Sequence, residues 1–351
     1  MLQGGEHLGV TRLAQMTLDE AALPDLPAQT AFCQSAAAAG ISSLLVDLSY
    51  AKPDPMLLAA TLAMRVPDIR LMVAVRSGLL SPTLFAQQVN TFSQLTTQRI
   101  CLNVVAGYSP EEQGYYGDFL SHDERYARTE EFLEICNRLW DLTPVTLRGR
   151  YMEVSEARIA TPFADSAGKR PEIFIGGNSD SARDLAIRQG SCWMQIADSL
   201  ETVRASIGPV LAVGKEVGLR LSIICAATRQ EALRQATELV AGVKQNGESA
   251  VAEHSFVRKS DSQSIGEAWS MAAQVWLSPT LWTGAVRTHG APAIALVGDP
   301  GEVAAALVEY GEIGISQFIL SGWPKEESMV FFGKEVIPRV REMETQLSRE
   351  D

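Results

Sequence analysis

The chain has 351 residues, 46% hydrophobic and 21% charged, the balance of a globular protein and not of a disordered one. A chain this long buries a large core without metal or disulfide staples. Thirty Lys and Arg against 42 Asp and Glu give a formal net charge of −12, which argues against general nucleic-acid binding or adhesion to an anionic membrane and leaves room for a local phosphate pocket.

Strand-like and helix-like segments then alternate along nearly the whole chain. An Ala-rich helix over residues 29–39 leads into a short apolar strand over 40–47. Residues 70–75 (RLMVAV) read as a buried strand, and Ser81-Pro82 opens the next helix with Pro at its first position. Residues 99–105 (RICLNVV), 172–175, 220–226 and 315–320 (ISQFIL) give the clearer later strands. These runs are apolar on both faces, as parallel strands covered by helices should be. Serial βα units over this length predict an α/β fold, a (β/α)8 TIM barrel with insertions, with a doubly wound sheet as the alternative. No GxGxxG follows the first strand, which counts against a dinucleotide-binding version.

Two stretches interrupt the rhythm. Residues 142–160 read as a β-hairpin turning at Arg148-Gly149. Residues 245–279 are long and polar in their first half, and read as a lid-like insertion. Without a linker, repeat or low-complexity tract, a single domain over 1–351 is the economical expectation. The five cysteines, Cys33, Cys101, Cys136, Cys192 and Cys225, are widely spaced among apolar residues and form no CxxC. They read as small hydrophobes in a reducing compartment, with no metal site expected. The opening MLQGGEHLGV lacks the pattern of a signal peptide, and no run approaches the ~18 apolar residues of a membrane helix. A cytoplasmic location is expected.

The most informative stretch runs from 99 to 140. A strand ends in NVVAG (103–107), a loop rich in Gly, Tyr and acids follows, and Ser121 with Glu124 forms a capping box that starts a helix. His122 and Tyr126 lie four apart on one face near the positive helix end, where an imidazole, a phenol and free backbone N–H groups suit a phosphate or ribityl chain. Tyr126 can equally begin the apolar stripe continued by Leu133, Cys136 and Trp140. A second phosphate candidate is EIFIGGNSDSARD (172–184), where Gly176-Gly177 permits close approach and Asn178 and Ser179 offer donors beside a helix start. An ordinary βα turn with a capping side chain accounts for the same residues. VGDPGE (297–302) is explained fully as a capped helix start. His289 sits in a loop before 293–297, either solvated or in contact with substrate. Arg258-Lys259 are either a solvated pair or a lid element that reaches an anionic ligand.

Taken in order, NVVAG, SHDERYARTEEF, IFIGGNSDSA, SPTLWTG, ALVGD and FILSGWP resemble the bacterial-luciferase-like flavin monooxygenases, and within them the reduced-FMN-dependent alkanesulfonate branch. The resemblance implies a (β/α)8 barrel, O2 as co-substrate and reduced FMN supplied by a separate flavin reductase. By the same resemblance Asn103 stands beside the flavin ring and Arg76-Ser77 closes a strand bordering it. His122 and Tyr126 contact the ribityl-phosphate end, and Asn178 and Ser179 belong to the phosphate turn. The chain departs from that branch where sulfonate is handled. Lys52 stands at the branch's active-site cysteine, Ile224-Cys225-Ala226 replaces its Arg-x-His, His289 replaces a loop arginine, and Trp323 replaces a tyrosine. The expectation is therefore a monooxygenase of a non-sulfonate organic substrate in a biosynthetic pathway, with Lys52, His289, Arg258 and Trp323 shaping the substrate pocket. A homo-oligomer is expected. The rivals are a non-catalytic flavin-binding or partner subunit and a deazaflavin-dependent oxidoreductase.

Overall fold

Asp-Pro and Ser-Pro pairs decide where many of the helices begin. Asp54, Ser81 and Ser109 each accept a backbone N–H three residues on, from Leu57, Leu84 and Glu112, with Pro at the start of the helix that follows. Asp299 does the same before Pro300, accepting from Gly301 and Glu302 while Glu302 reaches back to Asp299 N, as the sequence predicts. The structure, a computed structural model, describes residues 23–50, 52–97, 99–164, 170–245 and 259–350. The chain packs as two compact units, one of residues 23–34 with Ser42–Trp193 and one of residues 35–41 with 194–350. Their boundaries fall inside α1 (Leu26–Ala38) and inside β7 (Cys192–Ile196).

In the first unit β1 (Ser43–Val46), β2 (Arg70–Val75), β3 (Ile100–Val105) and β6 (Ile173–Gly176) pair in parallel, with Leu44 opposite Leu71, Val73 opposite Leu102 and Leu102 opposite Ile173. Their interior residues are buried on both faces. The crossovers carry α2 (Pro55–Arg65), α3 (Pro82–Thr96), α4 (Pro110–Tyr115) and α5 (His122–Trp140), and α6 (Asp180–Gln189) follows β6. Phe85 on α3 meets Phe132 and Trp140 on α5, with ring centroids 5.3 and 6.5 Å apart, so the two helices share one aromatic seam. The expected hairpin is present as β4 (Val145–Arg148) and β5 (Glu153–Ala157), with Gly149 N bonded to Met152 O across the turn.

The second unit is built on β8 (Glu216–Cys225). It pairs in parallel with β10 (Ala295–Gly298) and with β11 (Ile315–Gly322), while the two-residue β9 (Leu281–Trp282) joins β10 antiparallel. Around it lie α7 (Leu200–Leu211), α8 (Arg229–Gln245), α9 (Gln263–Met271), α10 (Val286–His289), α11 (Pro300–Glu312), α12 (Lys325–Glu335) and α13 (Ile337–Glu350).

The structure departs from the sequence expectations at four places. CWMQI at 192–196 is a fully buried strand that the hydrophobic pattern did not single out, because Gln195 interrupts it; that amide is satisfied by Ser206. The Gly- and Tyr-rich loop after β3 holds the short helix α4. β8 starts at Glu216, four residues before the apolar run. The irregular insertion contains α9, and Trp276 bridges Trp282 with ring centroids 6.4 Å apart, which ties its end to the apolar cluster of Ile224, Ala285 and Val297. Residues 246–258 of that insertion, Arg258 among them, lie outside the described residues. Among the described residues no helix is long and apolar enough to cross a membrane.

Candidate functional site

Parallel pairing brings the carboxyl ends of β1, β2, β3 and β6 to the same edge of the first unit, where α/β folds place their chemistry. At the end of β1, Lys52 lies 2.7 Å from Asp47, both side chains largely buried. The Lys52 ammonium is thus matched within its own loop. At the end of β2, Arg76 is almost fully buried and its Nη2 donates to Glu112 Oε2 at 2.8 Å. Ser77 is engaged in structure. Thr129 Oγ1 donates to Arg125 O, so Ser77 Oγ donates to Thr129 Oγ1 at 2.8 Å, and Arg128 Nε approaches Ser77 Oγ at 3.3 Å.

The end of β3 is clamped. Asn103 is buried within the strand, and its Oδ1 lies near Gly176 of the neighbouring β6. The carbonyl of Ala106 accepts from Arg125 Nε at 2.8 Å and from Gln113 Nε2 at 3.1 Å. The next residue, Gly107, has φ +87°, and a Cβ there would fall 1.5 Å from Gln113 Nε2. Only glycine fits both the backbone and the neighbour.

The capping box at Ser121 forms as expected, and it aims the start of α5 at the start of α6. His122 Nδ1 and Ser181 Oγ share Asp123 Oδ1, at 3.0 and 3.2 Å. The rings of His122 and Tyr126 stack edge to face, 5.0 Å apart. Tyr126 donates its hydroxyl proton to Gly176 O at 2.9 Å while its ring is buried, which is the core reading of this residue, with the hydroxyl spent on the backbone of the neighbouring turn. Gly177 has φ +139°, and Trp193 Nε1 donates to its carbonyl at 2.7 Å. The close approach that the double glycine allows is that of Tyr126, whose Oη lies 2.3 Å from where a Cβ of residue 177 would sit. Ser179 caps α6 through Ala182 N at 3.2 Å. The earliest N–H groups of α6 have no acceptor inside the helix, which is what makes such an end attractive to an anion. The carboxylates of Asp123 and Asp180 at these two helix starts are turned outward and more than 80% exposed.

In the second unit His289 ends α10 and bonds Thr288 Oγ1 through Nδ1 at 2.9 Å. Burial holds its pKa below the ordinary histidine value, so the imidazole is neutral at pH 7. Trp323, just after β11, stacks against it with centroids 5.4 Å apart and packs on the cluster around Ile224 and Trp282. Burial, helped by Asp299, pushes the Cys225 thiol up to about 12, which makes it an inert neutral group. Among the described residues no group of three or more His, Cys, Asp or Glu could hold a metal ion.

Sequence reasoning missed the supports of this edge: Arg125, Glu112, and the buried pair of Arg128 with Asp118, joined by two bonds of 3.0 and 2.6 Å. One signal was available for Arg125. It stands seven residues before Phe132 on the buried stripe of α5, and a charge on such a stripe needs an internal partner. Glu112 and Asp118 left no comparable trace, because each meets its partner across a loop.

A sequence model of luciferase-like monooxygenases matches residues 7–317 of the chain. Among solved structures, the EDTA monooxygenase from Chelativorans sp. BNC1 is similar at a TM-score of 0.74 and 22% identity, over 91% of this chain and 87% of that one. A riboflavin lyase, solved with modified FMN and its substrate riboflavin, gives 0.72 and 20%, over 90% and 84%. An F420-dependent secondary alcohol dehydrogenase, solved with an F420-acetone adduct, gives 0.67 and 18%, over 91% and 96%. At such identities the structural likeness is one of fold: α/β with a parallel sheet, matching luciferase-like TIM-barrel structures. With a family match spanning most of its length, the chain belongs to the luciferase-like monooxygenase family.

Proposed function

We propose that the protein is a reduced-flavin-dependent monooxygenase that takes FMN from a separate reductase and uses O2 to oxidise a non-sulfonate organic substrate. The observation that carries the reading is the meeting of two capped helix starts, α5 and α6, at the ends of β3 and β6. Reduced FMN, when bound, supplies the electrons that activate O2. The residues present fit its phosphate. Ser179 still has its hydroxyl proton to give, since the cap uses the oxygen as acceptor. His122 and Asn178 stand beside the same helix starts, and the N-terminal amides of α6 favour a dianion even in a chain of negative net charge. Tyr126 would position the Gly176-Gly177 turn, and Asn103 would border the ring. The first unit's edge then binds and orients the cofactor and keeps water from it.

The test is anaerobic fluorescence titration with reduced FMN, reduced riboflavin and a reduced deazaflavin. Riboflavin lacks the phosphate and should bind at least tenfold more weakly, since each hydrogen bond to a charged group contributes about 1.5–3 kcal/mol. Ser179→Ala and His122→Ala should weaken FMN and hardly change riboflavin. Equal affinity for FMN and riboflavin would move the phosphate elsewhere. Tighter binding of the deazaflavin would transfer the protein to the other cofactor class, and binding of none would leave a partner subunit.

A further inference from the structure

Arg76 is 4% exposed, yet its donors are only partly used. Nη2 serves Glu112 and reaches Leu48 O at 3.5 Å, whereas Nε and Nη1 are buried with no hydrogen-bond partner among the described residues. Leaving buried charged donors without an acceptor is unfavourable, and folded chains keep few such groups. One aromatic ring stands over the same place. The Tyr116 ring centroid lies 5.7 Å from Arg76 Cζ, and Tyr50 and Tyr115 pack edge to face at 5.1 Å, all three with exposed surface. Tyr50 N also donates to Glu112 Oε1 at 3.0 Å, which fastens the Lys52 loop to the arginine's partner. The local field is not positive: Glu112 cancels Arg76, and burial together with the charges of Glu112 and Asp54 pushes the Tyr116 phenol up. Spare N–H groups without spare positive charge suit a neutral acceptor better than a carboxylate.

We propose that Arg76 Nε and Nη1, beside the Tyr116 ring, hold the carbonyl-type acceptor of a planar, uncharged second substrate. This rests on the monooxygenase reading above and names the substrate class it would take. A flavin ring also carries carbonyl acceptors, so the experiment separates the two.

Acetophenone, benzoate and ethylbenzene share one ring and differ in offering a neutral acceptor, an anionic acceptor and none. Titrated by NMR into the full-length flavin-free protein, acetophenone should bind about tenfold or more tightly than either of the others. Arg76→Lys keeps a cation for Glu112 but loses the planar fork, so acetophenone should fall to the level of ethylbenzene, a larger fold-loss than reduced FMN suffers. Tyr116→Ala, at an exposed position, should weaken acetophenone and ethylbenzene alike and keep their ratio. Benzoate binding tightest, or three equal affinities, overturns the proposal. An equal loss of FMN and acetophenone in Arg76→Lys assigns the donors to the flavin and also overturns it. Should Arg76→Lys fail to fold, the wild-type ranking and Tyr116→Ala decide. If the ranking holds but the wild type binds no reduced flavin, the monooxygenase reading falls and the acceptor site stands.

Discussion

Gly177 shows how tightly single atoms are specified at this edge. Its φ of +139° is a region that side chains rarely adopt, and a Cβ would meet Tyr126 Oη at 2.3 Å and Ala182 Cβ at 3.0 Å. Gly177→Ala should cost about 1–3 kcal/mol. In a Tyr126→Phe background the hydroxyl is gone, so the same substitution should cost less. Chemical denaturation of the four proteins in the cycle checks this, and penalties that simply add, within about 0.5 kcal/mol, would mean that Tyr126 is not what fills the space. Asp118 gives a pH signature. Burial pulls its pKa up, but the hydrogen bonds and charge of Arg128, the Leu120 amide and the charge of Arg125 outweigh that and hold it below the ordinary carboxylate value. A carboxylate lowered on folding adds stability above its unfolded pKa, near 4, and loses it as pH falls through the lower folded value. Asp118→Asn should therefore destabilise by about 3 kcal/mol at neutral pH, with the gap to wild type narrowing towards about pH 3. Urea melts at both pH values read it directly; a constant gap would remove the charge from the explanation.

Among the elements, the β4–β5 hairpin depends on a helix it does not belong to. The carboxylate of Glu131 on α5 accepts the N–H groups of Arg150, Tyr151 and Met152, each at 2.8 Å. Glu131→Ala should leave the helix and free the hairpin turn, costing about 1–3 kcal/mol and speeding tryptic cleavage at Arg148 and Arg150. Unchanged cleavage would show that the strands hold the turn without the helix. The hairpin was legible from its turn residues, and helix starts were legible from Ser, Asp, Pro and Glu at fixed offsets, because those signals act over a few residues. The anchor was not legible: Glu131 is one acid among several on a polar helix face, and its partners lie about twenty positions away. The same holds for Arg76, whose place at the end of β2 was foreseen while its pairing with Glu112 on α4 was not.

At the scale of the whole molecule, the ordered motifs led to the right family, since strand-end and cap residues recur wherever the fold does. What the sequence could not give was the charge state of the positions that differ. Lys52 is neutralised by Asp47, His289 is held neutral by burial, and Cys225 is a half-buried, protonated thiol, so none of them offers a free cation to an anionic head group. Octanesulfonate with reduced FMN, a flavin reductase and O2 should accordingly release no sulfite above a protein-free control. Release on the order of 1 s⁻¹, an ordinary enzymatic rate, would restore the alkanesulfonate assignment.

The clamp on Ala106 also sets a rule for how this protein can drift. Gln113 occupies the space that any side chain at position 107 would need, and its amide fills the carbonyl one residue earlier. Neither position can therefore change first without loss: a larger residue at 107 collides with Gln113, and a shortened one at 113 strips a hydrogen bond from the strand end. Across descendants of this chain the two should be inherited as a pair, with exchanges at 107 appearing only on lineages that have already replaced Gln113 and found another donor for Ala106. Arg125, which supplies the second bond to that carbonyl, is what would make such an intermediate survivable.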